Sequence, residues 1–368
     1  LLLVTCRPEY TPSWSNASQL TRHSLNRLSN KQCAALVNAL TAGKALPAEV
    51  LAEIIRKTDG IPLFVEELTK TVLQSGLLED TPSGFVLRGP LSALAIPATL
   101  QDSLMARLDR LAPAKEVAQV GAVIGREFAH RLMAEVLSDM PAPQLDAALA
   151  DLVRSELVFR RGTPPDATYS FKHALVRDTA YNSMLKSQRV LRHSQIAAAL
   201  EHGQRDVAAS QPELLAVHHQ EGANPAAALR YWQAAGDAAM ARSAVREAVS
   251  HYQAAIALLA TLQRKQANAD VELGLRMRLG NALIQTEGFT STRANESFAR
   301  ARDLAIALDR LDDLVQACRG MAMGLNTAMR FGEAIAMMER FSPAELARMK
   351  PMGRVNRLVP IGYSRMYR

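Results

Sequence analysis

The chain has 368 residues, of which 48% are hydrophobic and 21% charged, and its formal net charge is +7 at pH 7. That composition excludes a wholly disordered chain and is ample for two or three cores at roughly 150 residues per domain. No apolar run approaches the ~18 residues that cross a bilayer, no basic segment leads into an apolar one as in a secretory signal, and Cys6, Cys33 and Cys318 lie too far apart for a zinc site or a disulfide framework, so a cytoplasmic, reducing compartment is expected.

Residues 1–5 read as a buried strand that runs into Cys6-Arg7-Pro8, where Pro8 stops it. A strand needs a partner and none lies nearby. The opening on Leu1-Leu2-Leu3-Val4 without methionine and the close inside a helical pattern are expected of one part of a larger protein. Residues 9–24 are turn-rich. Ser29 is placed to cap a helix with Gln32 at the reciprocal position, Ala35, Leu36, Ala39 and Leu40 follow the helical period, and Gly43 ends it. Pro47 sits at the start of a second helix that ends at Thr58. Asp59-Gly60-Ile61-Pro62 is a turn, and Leu63–Ser75 resumes as helix with Gly76 at its end.

Residues 79–97 carry glycines, Pro90 and short β-type stretches such as Phe85-Val86-Leu87. Two helices joined at Pro113 are expected from Pro97 to about Gly125, and two more over roughly 127–138 and 143–155. Leu157–Arg161, a turn over Gly162–Asp166, and Ala167–Lys172 then make a β-hairpin, so this region has the outline of a winged helix. A groove-reading helix would present Arg, Lys, Asn or Gln to bases, whereas the candidate at 143–155 offers Gln144, Asp146, Asp151 and Arg154. Two acids there favour a packing role over DNA readout. The basic C-terminal stretch (Arg348, Lys350, Arg354, Arg357, Arg365, Arg368) reads as a solvated helical surface, so nucleic acid is not the expected partner.

Internal repetition dominates the last third. Trp232, Gly236, Ala248, Tyr252 and Ala255 have the spacing of a tetratricopeptide repeat, in which small residues let two antiparallel helices approach and aromatic rings plug the gap to the next pair. Ala294, Phe298 and Ala301 repeat the second-helix pattern, and Ala334, Met338 and Phe341 repeat it more loosely. Ala248, Ala294 and Ala334 recur at intervals of 46 and 40 residues, longer than the usual ~34.

No catalytic constellation is present. Gly43-Lys44 is the sole Gly-Lys pair, and Asn38 and Ala45 stand where a phosphate loop needs glycine and a hydroxyl. His218 and His219 are adjacent, so on a helix they diverge by ~100° and cannot share a metal ion. His173 directly follows the hairpin and opens a helix, where it can cap or pack.

Three local patterns occur in an informative order. Leu3-Val4-Thr5-Cys6-Arg7 resembles the strand of STAND-class AAA+ ATPases that ends in a sensor arginine. Gly60-Ile61-Pro62-Leu63 resembles the GxP motif of the adjoining helical subdomain, and Phe171-Lys172-His173-Ala174-Leu175-Val176-Arg177-Asp178 resembles the histidine-bearing motif at the end of the winged helix. With the repeats, nearly the whole chain is similar to the regulatory module found C-terminal to bacterial class III adenylate/guanylate cyclase domains. The resemblance implies a mainly α architecture: the last strand of an AAA+ nucleotide-binding core over 1–10, a helical subdomain over 20–95, a winged-helix domain over 96–190, and an α-solenoid of tetratricopeptide-like repeats over 205–368.

It also implies roles. Arg7 would sense the γ-phosphate, Pro62 with Gly60 would pack on adenine, and His173 would reach the β-phosphate and hold an ADP-bound closed state. Ala174 departs from the aspartate often found in related motifs. The phosphate loop and magnesium ligands would lie upstream of Leu1. ATP/ADP with magnesium is therefore expected to bind the parent protein, no catalytic activity or tight nucleotide binding is expected of this chain alone, and a protein or effector would occupy the repeat surface. The upstream core, and a cyclase domain if attached, would be partners in cis. The alternatives are a winged-helix transcription regulator and a nucleotide-independent repeat scaffold.

Overall fold

The computed structural model describes residues 3–6, 10, 21, 23–88, 97, 99–203, 209–262 and 268–367. The chain divides into two compact units, Leu1–Ala112 and Pro113–Arg368.

The first unit is built on three helices: α1 (Asn30–Leu40), α2 (Ala48–Thr58) and α3 (Pro62–Leu73). The Ser29 hydroxyl accepts from the Gln32 backbone while Gln32 Oε1 accepts from the Ser29 N–H at 2.9 Å, so the expected reciprocal cap starts α1. Pro47 is the N-cap of α2 and lies one residue outside the helix. Cys33 and Val37 of α1, Val50 and Ile54 of α2, and Phe64, Val65, Leu68 and Val72 of α3 form one buried cluster. An antiparallel hairpin follows, β1 (Leu78–Thr81) with β2 (Gly84–Leu87), pairing Leu78 with Leu87 and Thr81 with Gly84.

The helix α4 (Leu100–Arg110) packs on α3, whereas the sequence reading grouped these residues with those after them. The contact is polar at its centre. Arg107 and Glu67, 3% and 2% exposed, form an ion pair, and the Thr71 and Ser103 hydroxyls meet at 2.8 Å. Of the strand expected over residues 1–5, Leu1 and Leu2 lie outside the described residues, and the described residues Leu3–Cys6 have no strand pairing, with Leu3 88% exposed. An extended segment becomes a strand only when a neighbour accepts its hydrogen bonds.

The second unit begins with α5 (Ala112–Ile124), β3 (Glu127–Ala129), α6 (His130–Val136), α7 (Ala142–Arg154), β4 (Val158–Arg161) and β5 (Thr168–Phe171). The strands form an antiparallel sheet in the order β3-β5-β4. Phe128 of β3 stacks on Tyr169 at 5.6 Å, and its ring lies where a Cβ on Gly121 would come within 2.7 Å, so a glycine in α5 admits the aromatic that ties sheet to helix. Three of the charged side chains of α7 have partners within the chain: Asp146 meets His130 Nε2 at 2.8 Å, and Arg154 pairs with Asp151 on its own helix.

After α8 (Ala174–Asn182) the chain is a succession of helices: α9 (Lys186–Gly203), α10 (Pro212–Glu221), α11 (Pro225–Ala241), α12 (Val245–Thr261), α13 (Ala269–Glu287), α14 (Thr292–Ala307), α15 (Leu311–Thr327), α16 (Phe331–Glu339), α17 (Pro343–Arg348) and α18 (Pro351–Met366). From α9 to α16 each helix packs on the next, and α18 packs on α15 and α16. One turn recurs between them. Ala223, Ser243, Asp309 and Met329 adopt φ of 59°, 60°, 48° and 59°, and the next N–H reaches back five residues to a helix carbonyl at 2.8–2.9 Å (Asn224 to His219, Ala244 to Ala239, Arg310 to Ala305, Arg330 to Leu325). These are left-handed helix caps closed without glycine.

Candidate functional site

Of the residues to which the resemblance assigned nucleotide sensing, Arg7 lies outside the described residues. Gly60 and Pro62 belong to the first unit and His173 to the second.

Gly60 closes α2 after Asp59, the left-handed C-cap at φ 47°, and itself has φ +70°. Its carbonyl accepts from the Leu28 N–H at 2.8 Å, and a Cβ there would overlap the Leu28 carbonyl oxygen and sit 3.0 Å from the Leu28 nitrogen. Glycine is therefore demanded by local packing: the turn is clamped to the segment entering α1. Ile61 is extended and Pro62, exposed, occupies the first turn of α3, where its missing N–H costs no hydrogen bond. Beside the turn is a cavity of about 570 Å3 whose lining includes Leu28, Asn30, Ile55, Gly60 and the ion-paired Arg27 and Asp59. Pro62 is not among the residues that line it.

His173 is the N-cap of α8, with φ −136° and ψ 144°, directly after β5. Its side chain is half-buried and makes no capping hydrogen bond, so the capping role holds for its backbone alone.

The repeat residues Trp232 and Gly236 lie on α11, and Ala248, Tyr252 and Ala255 on α12. Gly236 on α11 faces Tyr252 on α12; a Cβ at Gly236 would overlap the ring, 2.6 Å from Cδ1 and 2.8 Å from Cζ. The Tyr252 hydroxyl donates to Asp237 at 2.7 Å, and Arg278 of α13 donates to the same carboxylate oxygen at 3.0 Å, so one carboxylate joins two helix pairs. Burial and the neighbouring Asp237 carboxylate push the Tyr252 phenol well above its usual range. Ala248 and Ala255 are fully buried beside the ring. Trp232 donates to Gln220 at 3.0 Å and stacks on His251 at 5.6 Å.

The next pair repeats the device with Phe298, which the spacing picked out, and two glycines that the sequence reading did not name. Phe298 of α14 lies between two glycines: a Cβ on Gly280 (α13) or on Gly320 (α15) would come within 2.7 Å of its ring. The signal was present, since Gly280 follows Gly236 by nearly the same interval as Phe298 follows Tyr252. Ala294, Ala301, Ala334, Met338 and Phe341 are buried as expected.

The adjacent histidines diverge. His218 Nδ1 meets His193 Nδ1 at 3.0 Å, while His219 Nε2 meets Glu201 at 2.9 Å and stacks on Tyr231 at 5.3 Å. Desolvation lowers His193 to about 4, and desolvation with the neighbouring imidazoles lowers His218 to about 3, so both are neutral at pH 7 and one donates to the other. Among the described residues no group of three or more His, Cys, Asp or Glu side chains could hold a metal ion, and no helix is long and apolar enough to cross a membrane.

No protein-family model matches the chain. It is 28% identical over 307 residues to an uncharacterised protein of Rhizobium meliloti (strain 1021), an alignment that covers 83% of this chain and 29% of that protein; the chain thus spans less than a third of that relative's length. Among solved structures it is similar, at 12% identity and a TM-score of 0.31, to a Signal Transduction ATPase with Numerous Domains (STAND) protein with a tetratricopeptide repeat sensor from Pyrococcus horikoshii, with 92% of this chain and 61% of that one covered.

Proposed function

We propose that this chain is the helical-subdomain, winged-helix and repeat portion of an ATP/ADP-switched signalling regulator of the STAND type, and that its repeats bind a protein or effector. The observation that carries the reading is the series of stacked helix pairs locked by Gly236–Tyr252 and Gly280–Phe298–Gly320, following a helix–sheet module that ends in His173. Stacked pairs of this kind form a continuous surface of exposed helix faces, which suits recognition of another protein. The order α5-β3-α6-α7-β4-β5, with its β3-β5-β4 sheet, supports a winged helix. The intrachain pairing of Asp146 and Arg154 on α7 supports a packing role for it over DNA readout.

Bound ATP or ADP with magnesium would supply the charge whose presence or absence the switch reads. By the resemblance, Pro62 at the first turn of α3 would pack on a base, and His173, the N-cap of α8 after β5, would reach a phosphate. Gly60 serves that turn by holding it against Leu28. The chain has no GxxxxGK[ST] segment to hold the phosphates, so tight binding requires a phosphate loop from elsewhere in the parent protein. A nucleotide-cyclase output belongs to the same proposal and rests on the sequence resemblance alone.

The test is isothermal titration of ATP and ADP into this chain and into the natural polypeptide that contains it, with Arg7→Ala and His173→Ala made in the latter. Tight binding by the polypeptide, none by this chain, and an altered ATP/ADP preference in both variants support the switch. A natural polypeptide that ignores nucleotide leaves only the repeat scaffold.

A further inference from the structure

The strand β4 stands at one edge of the β3-β5-β4 sheet, and its pairing with β5 leaves half of its backbone groups unused. Val158, Phe159, Arg160 and Arg161 face Phe171, Ser170, Tyr169 and Thr168 in turn, and the Lys172 N–H donates to the Leu157 carbonyl at 3.0 Å. Bonded pairs alternate along an antiparallel ladder. Leu157, Phe159 and Arg161 therefore bond to β5, while the N–H and C=O of Val158 and Arg160 point away from it. The far side of β5 has the complementary parity, with Phe171 donating to the Arg126 carbonyl at 3.1 Å and His130 to the Ala167 carbonyl at 2.9 Å. Among the described residues no backbone group meets the outward side of Val158 or Arg160. The strand lies well inside the continuous stretch 99–203, so the edge is a property of the helix–sheet module itself.

Sheet edges are commonly guarded by proline, a bulge, charge or an overlying element. The strand β4 has no proline and no bulge, since its four residues pair one to one with β5. It presents Phe159, 57% exposed, next to the exposed Arg160 and Arg161. Charge that served only to repel would not need an exposed ring beside it. The module's own acids are engaged elsewhere: Asp146 with His130, Asp151 with Arg154, Glu156 with Lys172 and Asp166 with Arg131. Neither Arg160 nor Arg161 forms an ion pair among the described residues, so the edge has two cations to offer. Two copies joined edge to edge would gather four arginines at one seam, which disfavours self-association.

We propose that the outer edge of β4 is the docking site for one extended, acidic segment of a partner protein, added antiparallel as a fourth strand of the sheet. Backbone pairing with Val158 and Arg160 would supply affinity. Carboxylates opposite Arg160 and Arg161, and an aromatic or β-branched side chain opposite Phe159, would supply selectivity. The interaction needs neither nucleotide nor the repeat surface, so it stands or falls separately from the switch.

The probe is a fluorescein-labelled peptide, Thr-Glu-Glu-Tyr-Val-Thr, titrated into the intact chain without nucleotide. Antiparallel pairing sets its glutamates opposite Arg161 and Arg160, its tyrosine opposite Phe159 and its valine opposite Val158. Saturable binding is expected at roughly 10–100 μM, the scale of one short strand, weakening severalfold from ~0.05 to ~0.5 M salt. N-methylation of the valine, whose N–H would meet the Val158 carbonyl, should cost at least tenfold, and N-methylation of the tyrosine, whose N–H points away, should cost little. Arg161→Gln should cost severalfold. Arg160→Pro removes an outward N–H and no bond to β5, and should cost more than Arg160→Gln. Circular dichroism of the protein variants should match the parent, and the N-methyl pair repeats the test with the protein unaltered. No saturable binding up to ~1 mM, or equal binding of the two N-methyl peptides, overturns the proposal. So does a chain that sediments as a dimer and is made monomeric by Arg160→Pro, because a second copy then holds the edge. Random-sequence duplex DNA that binds more tightly and displaces the peptide also overturns it, since the arginines would then serve phosphates.

Discussion

Gly236→Ala tests the packing logic of the repeats at its tightest point. In an isolated helix the change would stabilise by up to ~1 kcal/mol, because alanine gives up less backbone entropy. Here the new methyl would overlap the Tyr252 ring, which is held at its far end by the 2.7 Å hydrogen bond to Asp237 and along its sides by Ala248 and Ala255. Moving the ring breaks that bond or spreads α11 from α12, and overpacking of this kind costs roughly 1–3 kcal/mol. The net expectation is a loss of about 1–2 kcal/mol, or roughly 3–6 °C in the melting of a unit of this size. The assay is urea unfolding followed by circular dichroism, with Gly332→Ala as control, since a Cβ at Gly332 in α16 would meet nothing within 4 Å. The control should be neutral or slightly stabilised. In the double variant Gly236→Ala/Tyr252→Leu the two changes should cost less than their sum, because the smaller side chain makes room for the methyl. A Gly236→Ala variant as stable as its parent would refute the idea that the glycine exists to admit the ring.

Three further outcomes are expected. Because His193 and His218 are depressed to about 4 and about 3 in the folded chain, their contribution is complete above the ordinary histidine value near 6.5 and is lost as pH falls toward 4; the unfolded chain then binds up to two more protons, a slope of up to ~2.7 kcal/mol per pH unit. Urea midpoints at pH 7, 6 and 5 measure this, and His218→Phe should flatten the dependence. Gly60→Ala should destabilise the first unit by about 2 kcal/mol or more, through φ +70° and overlap with the Leu28 carbonyl oxygen, read by hydrogen exchange over α1–α3. Arg107→Met should cost roughly 3–5 kcal/mol by leaving Glu67 buried and unpaired, whereas Arg107→Met with Glu67→Leu should recover most of it.

Signals written in neighbouring residues were legible in the sequence. Ser29 and Gln32 fixed the start of α1, Gly162–Asp166 placed the β4–β5 hairpin, and the spacing of Gly236 and Tyr252 announced a helix pair. Signals that need a distant partner were not. Leu1–Thr5 has the composition of a strand, but the described residues Leu3–Cys6 have no ladder to join. The strand β3 is three residues long, too short for alternation to register, and is specified by Phe128 stacking on Tyr169, forty-one positions on. The turns at Ala223, Ser243, Asp309 and Met329 lack glycine, so they escaped a search for glycine caps. Gly320 receives Phe298 from the preceding pair, and His218 finds His193 on another helix. As for the candidate site, the sequence supplied the motifs and their order. Gly60's close neighbour proved to be Leu28, because the turn folds back on the entry to α1.

The most direct test of the proposed switch is the ATP and ADP affinity of the natural polypeptide containing this chain, measured by titration before and after His173→Ala. The switch predicts tight binding and a selective loss of ADP affinity of at least tenfold, because His173 is assigned to the closed, ADP-bound state. Equal affinities in the two proteins would contradict that assignment, and no nucleotide binding in either would contradict the switch itself.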